Sequence, residues 1–189
     1  MLRTERLHLR PWMIKDVPSL AAINADPRVM EHYPRTLNKR ETDAQVRRFR
    51  AHHKEHGFCY FAAEQHADKR VVGFVGLARQ DFPAYFTPCV DIGWRLHPEV
   101  WGQGLALEGA RACLAHAFET LQLGEVIAVT THRNLPSIRI MQQLGMHYRG
   151  AFIHPRLPPR SRLQPCLVYA ATSDRKDDGD GEPAEISAD

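Results

Sequence analysis

The chain has 189 residues, of which 43% are hydrophobic and 25% charged, and its formal net charge is +3. This length suits one well-buried domain. No apolar run reaches the roughly 18 residues of a membrane span, and the scattered basic residues with no aromatic-rich RNA-binding motif argue against nucleic-acid binding.

The N-terminal half predicts a strand, two helices and a hairpin. The segment "MLRTERLHLRPW" has no continuous apolar stretch of the kind a secretory signal needs, so we expect a cytoplasmic location. Its alternating Leu7 and Leu9 predict the first strand, and Asp16 is in a position to cap the helix that follows. A polar second helix ends at Gly57, and "FCYFAAE" and "RVVGFVGL" then predict an antiparallel hairpin.

The C-terminal half alternates strands with two helices. "CVDIGWRL" is a strand, and a helix follows it to about Leu121. "EVIAVT" is the next strand, Asn134 begins a helix that buries Met141 and ends at Gly145, and "GAFIH" and "LQPCLVYAAT" are the last strands. This order predicts an α+β fold in which helices cover a mixed sheet.

The charge is distributed unevenly along the chain. Residues 173–189 contain seven acidic and two basic residues, a net charge of −5, which leaves +8 on residues 1–172. We therefore expect a single domain over 1–172 and an acidic, disordered tail over 173–189. A basic domain suits an anionic ligand and disfavours a polycationic one.

Cysteine and histidine spacing gives no metal site. The four cysteines have no CxxC pair and are expected to be reduced thiols. His52 and His56 have the i, i+4 spacing that can hold zinc, but no third ligand is near and HExxH is absent. A solvated helix face is the preferred interpretation, and no metal is predicted.

The stretch "PEVWGQGLALEGA", residues 98–110, begins the third helix. Gly102 and Gly104 lack a Cβ and Ala106 is small, so an anion has access to the unpaired N–H groups of the first turn. A Walker A loop is excluded because the chain has no Gly-Lys pair, and the dinucleotide fingerprint fails at Leu107. A purely structural turn remains the alternative.

Three segments in order resemble the GNAT superfamily of N-acetyltransferases. "WGQGLA" resembles the acetyl-CoA signature [QR]xxGx[GA], although Trp101 stands where the family usually has Gln or Arg. "TERLHLRPW" and "NLPSIRIMQQLGM" are similar to segments of the RimJ/RimL-like branch, which acetylates ribosomal-protein N-termini. The resemblance covers residues 2 to 170. It implies a mostly antiparallel seven-stranded sheet with splayed middle strands and about four helices.

The resemblance also implies how the site works, with acetyl-CoA as co-substrate. Asp91 corresponds to a carboxylate near the acceptor amine and is the candidate base; an ordinary sheet-surface carboxylate is the alternative. Ser137 is the candidate donor to the CoA sulfur, because Met141 occupies the usual tyrosine position; a serine bonded to its own helix start is the alternative. The expected acetyl-CoA contacts are Trp94, Leu96, Trp101, Gly102, Gln103, Gly104, Leu105, Ala106 and Asn134, the last of which also serves as a helix cap.

The acceptor is expected to be a primary amine, and the resemblance favours a protein or peptide α-amine attacking the thioester directly. A small-molecule amine is the alternative among enzymes. A CoA-binding sensor without catalysis is the other alternative, because of Trp101 and Met141. His147, His154 and the loop "PRLPPRSR" either border the acceptor or are ordinary core and surface residues. We expect a monomer or homodimer.

Overall fold

The computed structural model describes residues 1–173, and within them eight strands form a single sheet covered by four α-helices. The strands are β1 (Leu2–Arg3), β2 (Leu7–Arg10), β3 (Tyr60–Gln65), β4 (Val71–Gln80), β5 (Cys89–Leu96), β6 (Glu125–Thr131), β7 (His147–Phe152) and β8 (Cys166–Thr172). The helices are α1 (Val17–Ala25), α2 (Lys39–His56), α3 (Leu105–Ala115) and α4 (Leu135–Gln143).

Strands run in the order β1-β2-β3-β4-β5-β6-β8-β7, and neighbours are antiparallel except β5 and β6. Within the described chain, these two parallel strands pair at one register position, Asp91 with Ile127. Residues 92–96 of β5 have no partner on β6. The two strands therefore part toward their carboxyl ends, which opens the middle of the sheet.

Helices pack on both faces of the sheet. From α2, Phe49 packs against Phe74 of β4 at 5.6 Å between ring centroids. A Cβ added to Gly109 of α3 would lie 3.2 Å from Val75, the next residue of β4. Because adjacent residues of a strand point to opposite faces, α2 and α3 lie on opposite sides. The two faces of β5, one toward α2 and the other toward α3, therefore present different side chains.

The α+β fold predicted from the sequence is confirmed, with three differences in the elements. The sheet has eight strands because the two-residue β1, too short to give an alternating pattern, pairs at the edge. Strand β7 begins at His147, three residues before the predicted "GAFIH", because it is an edge strand whose side chains are mostly exposed. Helix α3 ends at Ala115, and a π-helical turn covers 116–120.

Asp16 is the N-cap residue of the first helix, as predicted, but its side chain does not cap the helix. Its carboxylate accepts hydrogen bonds from the Arg10 guanidinium at 2.7 and 3.0 Å and from the Met13 N–H at 2.8 Å. A buried arginine is a stronger partner for a carboxylate than a backbone amide, so the side chain turns toward β2.

The acidic tail predicted for residues 173–189 lies outside the described residues, apart from Ser173. Among residues 1–173, none of the helices has both the length and the apolar character that crossing a membrane demands.

Candidate active site

The parting of β5 and β6 opens a cavity of about 1220 Å³. Ten of the eleven site residues predicted from the sequence line it. They come from β5, from the glycine turn before α3 and from the start of α4, and they are Asp91, Trp94, Leu96, Trp101, Gly102, Gly104, Leu105, Ala106, Asn134 and Ser137. Segments that are far apart in the chain therefore meet around one space.

The free edge of β5 supplies backbone groups to this space. The His97 N–H donates to the Val72 carbonyl at 2.8 Å, and Gly73 lies opposite Leu96 in the antiparallel register. Hydrogen-bonding direction alternates along a strand, so the N–H and C=O groups of Trp94 and Leu96 point away from β4. They face the gap, which is consistent with the acetyl-CoA contacts that the family resemblance implies for Trp94 and Leu96.

The glycine turn has the backbone conformation that an anion site needs. Gly102 and Gly104 have φ of +73° and +78°, in the left-handed region that side chains disfavour. The first hydrogen bond of α3 runs from the Glu108 N–H to the Gly104 carbonyl, at 3.0 Å. The N–H groups of residues 105–107 have no helical acceptor, and together with the positive end of the helix dipole they can hold a diphosphate.

Two details of this turn differ from the sequence-based expectation. The Trp101 indole N–H donates to the Leu96 carbonyl at 2.8 Å, so that carbonyl is already engaged on the edge facing the gap. Gln103 does not line the cavity; its amide donates to the Glu99 carbonyl at 2.9 Å. The side chains of these two residues are therefore not positioned to bind phosphate, whereas the backbone N–H groups are.

Asp91 lies where β5 and β6 begin to part. The Tyr60 hydroxyl donates to its carboxylate at 2.6 Å, and the Gln80 amide donates to that hydroxyl at 3.4 Å. Burial raises the pKa of Asp91 to about 6, although the Tyr60 hydrogen bond acts in the opposite direction. A carboxylate in this state is ionised at neutral pH and is a better proton acceptor than an exposed aspartate.

Tyr60 is a site residue that the sequence analysis missed. Its ring lies over Gly93 of β5, where an added Cβ would come within 3.0 Å of the ring. Burial is the main reason that the pKa of its hydroxyl lies well above the ordinary value, so it remains a hydrogen-bond donor to Asp91. The glycine between Ile92 and Trp94 was the available signal, since a glycine inside a strand often marks a close approach.

Helix α4 supplies the opposite wall of the gap. Asn134 caps the helix, accepting from the Ser137 N–H at 3.3 Å and donating to the Thr130 hydroxyl at 3.0 Å. Ser137 lines the cavity, and its hydroxyl has no hydrogen-bond partner within residues 1–173. The alternative, a serine hydroxyl bonded to its own helix start, is therefore not what the structure has. Met141 is buried beside Ser137, 2% exposed, and also faces the cavity.

Other histidines and cysteines have defined surroundings. His52 uses both ring nitrogens, bonding the Phe58 carbonyl at 2.8 Å and the Arg79 N–H at 2.9 Å, so neither is free for a metal. The described residues contain no group of three metal-ligating side chains. His147 is exposed on β7 away from the cavity, whereas His154 lines it. Burial raises the pKa of the Cys89 thiol to about 12, which keeps this cavity residue protonated.

The sheet opens beside a helix with free N–H groups, and an ionisable carboxylate, Asp91, lies where the strands part. This arrangement suits an acyl-CoA-dependent transferase. Residues 6–147 match the family model described as the acetyltransferase (GNAT) domain. This match covers more than half of the chain, and the protein therefore belongs to the GNAT family of acetyltransferases. Enzymes of this family take the acetyl group from acetyl-CoA.

Relatives and solved structures agree with this assignment. An uncharacterised protein of Bacillus subtilis (strain 168), YkkB, is 32% identical over 148 residues, which are 78% of this chain and 85% of that protein. The crystal structure of a GNAT acetyltransferase from Bacillus anthracis is 25% identical, with a TM-score of 0.74, over 90% of this chain and 97% of that one. A ribosomal-protein-S5-alanine acetyltransferase from Vibrio fischeri shares the fold at 17% identity and a TM-score of 0.72, over 91% and 96% of the two chains.

Proposed function

We propose that this enzyme acetylates the α-amine of a protein or peptide, as in the RimJ/RimL-like branch, by direct attack of the amine on acetyl-CoA. The observation that carries the proposal is the position of Asp91, at the vertex of the gap and with a pKa of about 6. A base placed there is next to the point where an extended donor lying along β5 would end. The Vibrio fischeri enzyme that shares this fold is named a ribosomal-protein-S5-alanine acetyltransferase, so the fold is compatible with a protein acceptor.

The donor end of the cavity fits acetyl-CoA through backbone groups. The N–H groups at the start of α3 receive the diphosphate, and the outward-facing groups of Trp94 and the Leu96 N–H are available to pantetheine amides. Because Trp101 holds the Leu96 carbonyl, that acceptor contributes less to donor binding. When bound, acetyl-CoA supplies the acetyl group as a thioester that an amine attacks.

Asp91 accepts the proton that the amine loses. An α-amino group has a pKa of about 7.7 to 8.0, so its proton moves to a carboxylate with a pKa of about 6 at a small free-energy cost. For a lysine amine, with a pKa of about 10.4, the same transfer is far less favourable. This match between base and amine favours an α-amine acceptor.

Ser137 donates a hydrogen bond to the sulfur as the CoA thiolate leaves. Ser137 lines the cavity and its hydroxyl is free of other partners among the described residues, so it can turn toward the sulfur without breaking a bond. Met141 has no proton to give. Asn134 fixes the start of α4 and thereby the position of Ser137.

The experiment that tests the proposal is free-thiol release from acetyl-CoA across a panel of peptides and small amines. Thermal stabilisation by acetyl-CoA is measured in parallel, because a ligand that binds only the native state raises its melting temperature. We expect stabilisation and fast turnover with peptides bearing a free α-amine, and no turnover when the same peptides are blocked. Faster turnover of a small amine would assign the enzyme to that class, and stabilisation without any turnover would make it a sensor.

A further inference from the structure

Arg95 is a buried cation on the cavity wall that has no anionic partner among the residues that the structure describes. It follows Trp94 in β5, is 7% exposed and lines the cavity. Among residues 1–173 its guanidinium makes one hydrogen bond, from Nη1 to the Asn24 Oδ1 at 2.5 Å, and its buried Nε has none. An arginine has five N–H donors, and the Nε–H of Arg95 is buried without an acceptor in this part of the chain.

The surroundings of Arg95 orient the guanidinium without neutralising it. The Asn24 amide donates to Thr42 at 3.0 Å and to Gln45 at 2.9 Å, which turns its oxygen toward Arg95. The Tyr33 ring lies 4.0 Å from the guanidinium carbon. A neutral amide and aromatic faces hold a cation in place, but a buried charge costs free energy until an anion pairs with it.

Within residues 1–173, none of the other charged residues of the cavity wall is a counter-ion for Arg95. Arg28 is already paired with Asp26 at 2.6 Å. Glu31 is exposed and forms no ion pair with Arg95 within the described chain. Asp91 is bonded to Tyr60 instead. Among residues 1–173, then, Arg95 has no counter-ion, and a bound molecule with an anionic group would supply one.

We propose that Arg95 binds a carboxylate of the acceptor, so that the preferred substrate is a peptide with an acidic residue a few positions after its N-terminus. This inference rests on the proposed transfer to a peptide α-amine. Asp91 and Arg95 are four residues apart and share a face of β5, so their Cα atoms are separated by about 13 Å along the strand. An extended peptide covers that length in about three to four residues, with its amine at Asp91 and its carboxylate at Arg95.

A peptide series tests this assignment. Six-residue alanine peptides with a free α-amine and an amidated C-terminus carry one Glu at position 2, 3, 4 or 5, each matched by the Gln peptide. We expect one position at which Glu raises kcat/KM at least about tenfold over Gln, since a hydrogen-bonded charge pair contributes 1.5–3 kcal/mol. Arg95→Met should bring that ratio to within about twofold of unity, and Arg95→Lys should retain part of it because a lysine keeps the charge but not the planar fork.

Matched controls separate charge recognition from folding. Arg79→Met removes an arginine of β4 that is exposed and does not line the cavity, and this variant should keep the preference for Glu. Stabilisation by acetyl-CoA should be unchanged in Arg95→Met, because methionine fills the apolar part of the site beside Tyr33 and Phe74.

The outcomes distinguish this inference from the proposed function. Equal turnover of every Glu and Gln pair, or a Glu preference that survives Arg95→Met, overturns the role of Arg95 and leaves peptide acetylation standing. A weaker affinity for acetyl-CoA in Arg95→Met with an unchanged Glu preference assigns the anion to the donor and also overturns it. Binding of acetyl-CoA with no turnover of any amine overturns the proposed function, and this inference with it.

Discussion

The two ends of the cavity are built from different parts of the chain. At the donor end, the groups that would contact acetyl-CoA are the backbone amides of the glycine turn and of the free edge of β5. At the acceptor end, the groups are side chains that reach the cavity from separate elements, such as Asp91 from β5 and Tyr60 from β3. One end depends on backbone conformation and the other on tertiary packing.

This difference determines which substitutions each end of the cavity should tolerate. The donor end keeps its N–H groups whatever side chain occupies position 101, so Trp101 is compatible with a working site. The proposed acceptor end should lose its chemistry when a single buried side chain changes, because no backbone group replaces a carboxylate or a phenol. Substitutions at the glycines should therefore weaken acetyl-CoA binding, whereas substitutions at the buried polar residues should slow the chemical step.

The largest expected effect is at the donor end. Gly104→Val should weaken acetyl-CoA binding at least about 100-fold, because a β-branched residue at φ +78° is strained and its side chain occupies the approach to the N–H groups. Gly57→Val is the matched control, since Gly57 has φ +80° but ends α2 away from the cavity. Calorimetric titration should give normal affinity for the Gly57 variant despite a lower melting temperature; equal losses in both variants would make the effect a general one on folding.

At the acceptor end, Asp91→Asn should stabilise the fold in a pH-dependent way. The folded-state pKa of about 6 exceeds the ordinary 3.8, so the folded protein holds the proton more tightly and stability falls as pH rises from about 4 to about 6. Asparagine removes this cost, and the free energy of unfolding should rise by on the order of 1–3 kcal/mol at pH 8 but little at pH 4. Urea unfolding at both pH values measures it, and a variant less stable than the wild type at pH 8 would contradict the buried charge.

Tyr60→Phe should produce a smaller effect that depends on pH. Removing the hydroxyl removes a hydrogen bond that lowers the pKa of Asp91, so the base is protonated up to a higher pH. Turnover should fall about tenfold at pH 6 and recover toward the wild-type value at higher pH. Comparing both enzymes with the same amine cancels the titration of the amine itself, and a loss that is equal at every pH would mean that Tyr60 acts only through packing.

The smallest effect should come from the residue that departs most from the family pattern. Trp101→Phe removes the indole N–H bond to the Leu96 carbonyl and keeps an aromatic side chain. A neutral hydrogen bond contributes about 1 kcal/mol, so KM for acetyl-CoA should change by no more than about fivefold. Steady-state kinetics at saturating amine measures this; a loss as large as that of Gly104→Val would show that the indole itself binds the donor.

The donor end could be predicted from the sequence to a large extent, and the acceptor end could not. Gly102 and Gly104 indicate an unusual backbone conformation because they are glycines, and the structure confirms positive φ angles at both. Asn134 and Ser137, at the start of α4, line the same cavity. The structure shows that the two glycines make an equal conformational demand, since their φ angles are +73° and +78°.

The acceptor end depends on register and on packing between distant segments. Tyr60 reaches Asp91 because β3, β4 and β5 align Tyr60, Gly76 and Gly93 across the sheet. The contact between Arg95 and Asn24 joins residues 71 positions apart. Local sequence patterns do not predict such long-range contacts, so neither Tyr60 nor Arg95 was predicted as a site residue. Asp91 was named from resemblance, and the reason for its raised pKa emerged only from its surroundings.

The most direct test of the account compares kcat and acetyl-CoA affinity in the wild type and Asp91→Asn. Single-turnover thiol release with a saturating peptide amine gives the chemical step, and calorimetry gives the dissociation constant for acetyl-CoA. We predict a chemical step slower by roughly 100- to 10,000-fold, as expected for loss of a positioned base, with an affinity within about twofold of the wild type. An unchanged chemical step with saturating amine would contradict the account.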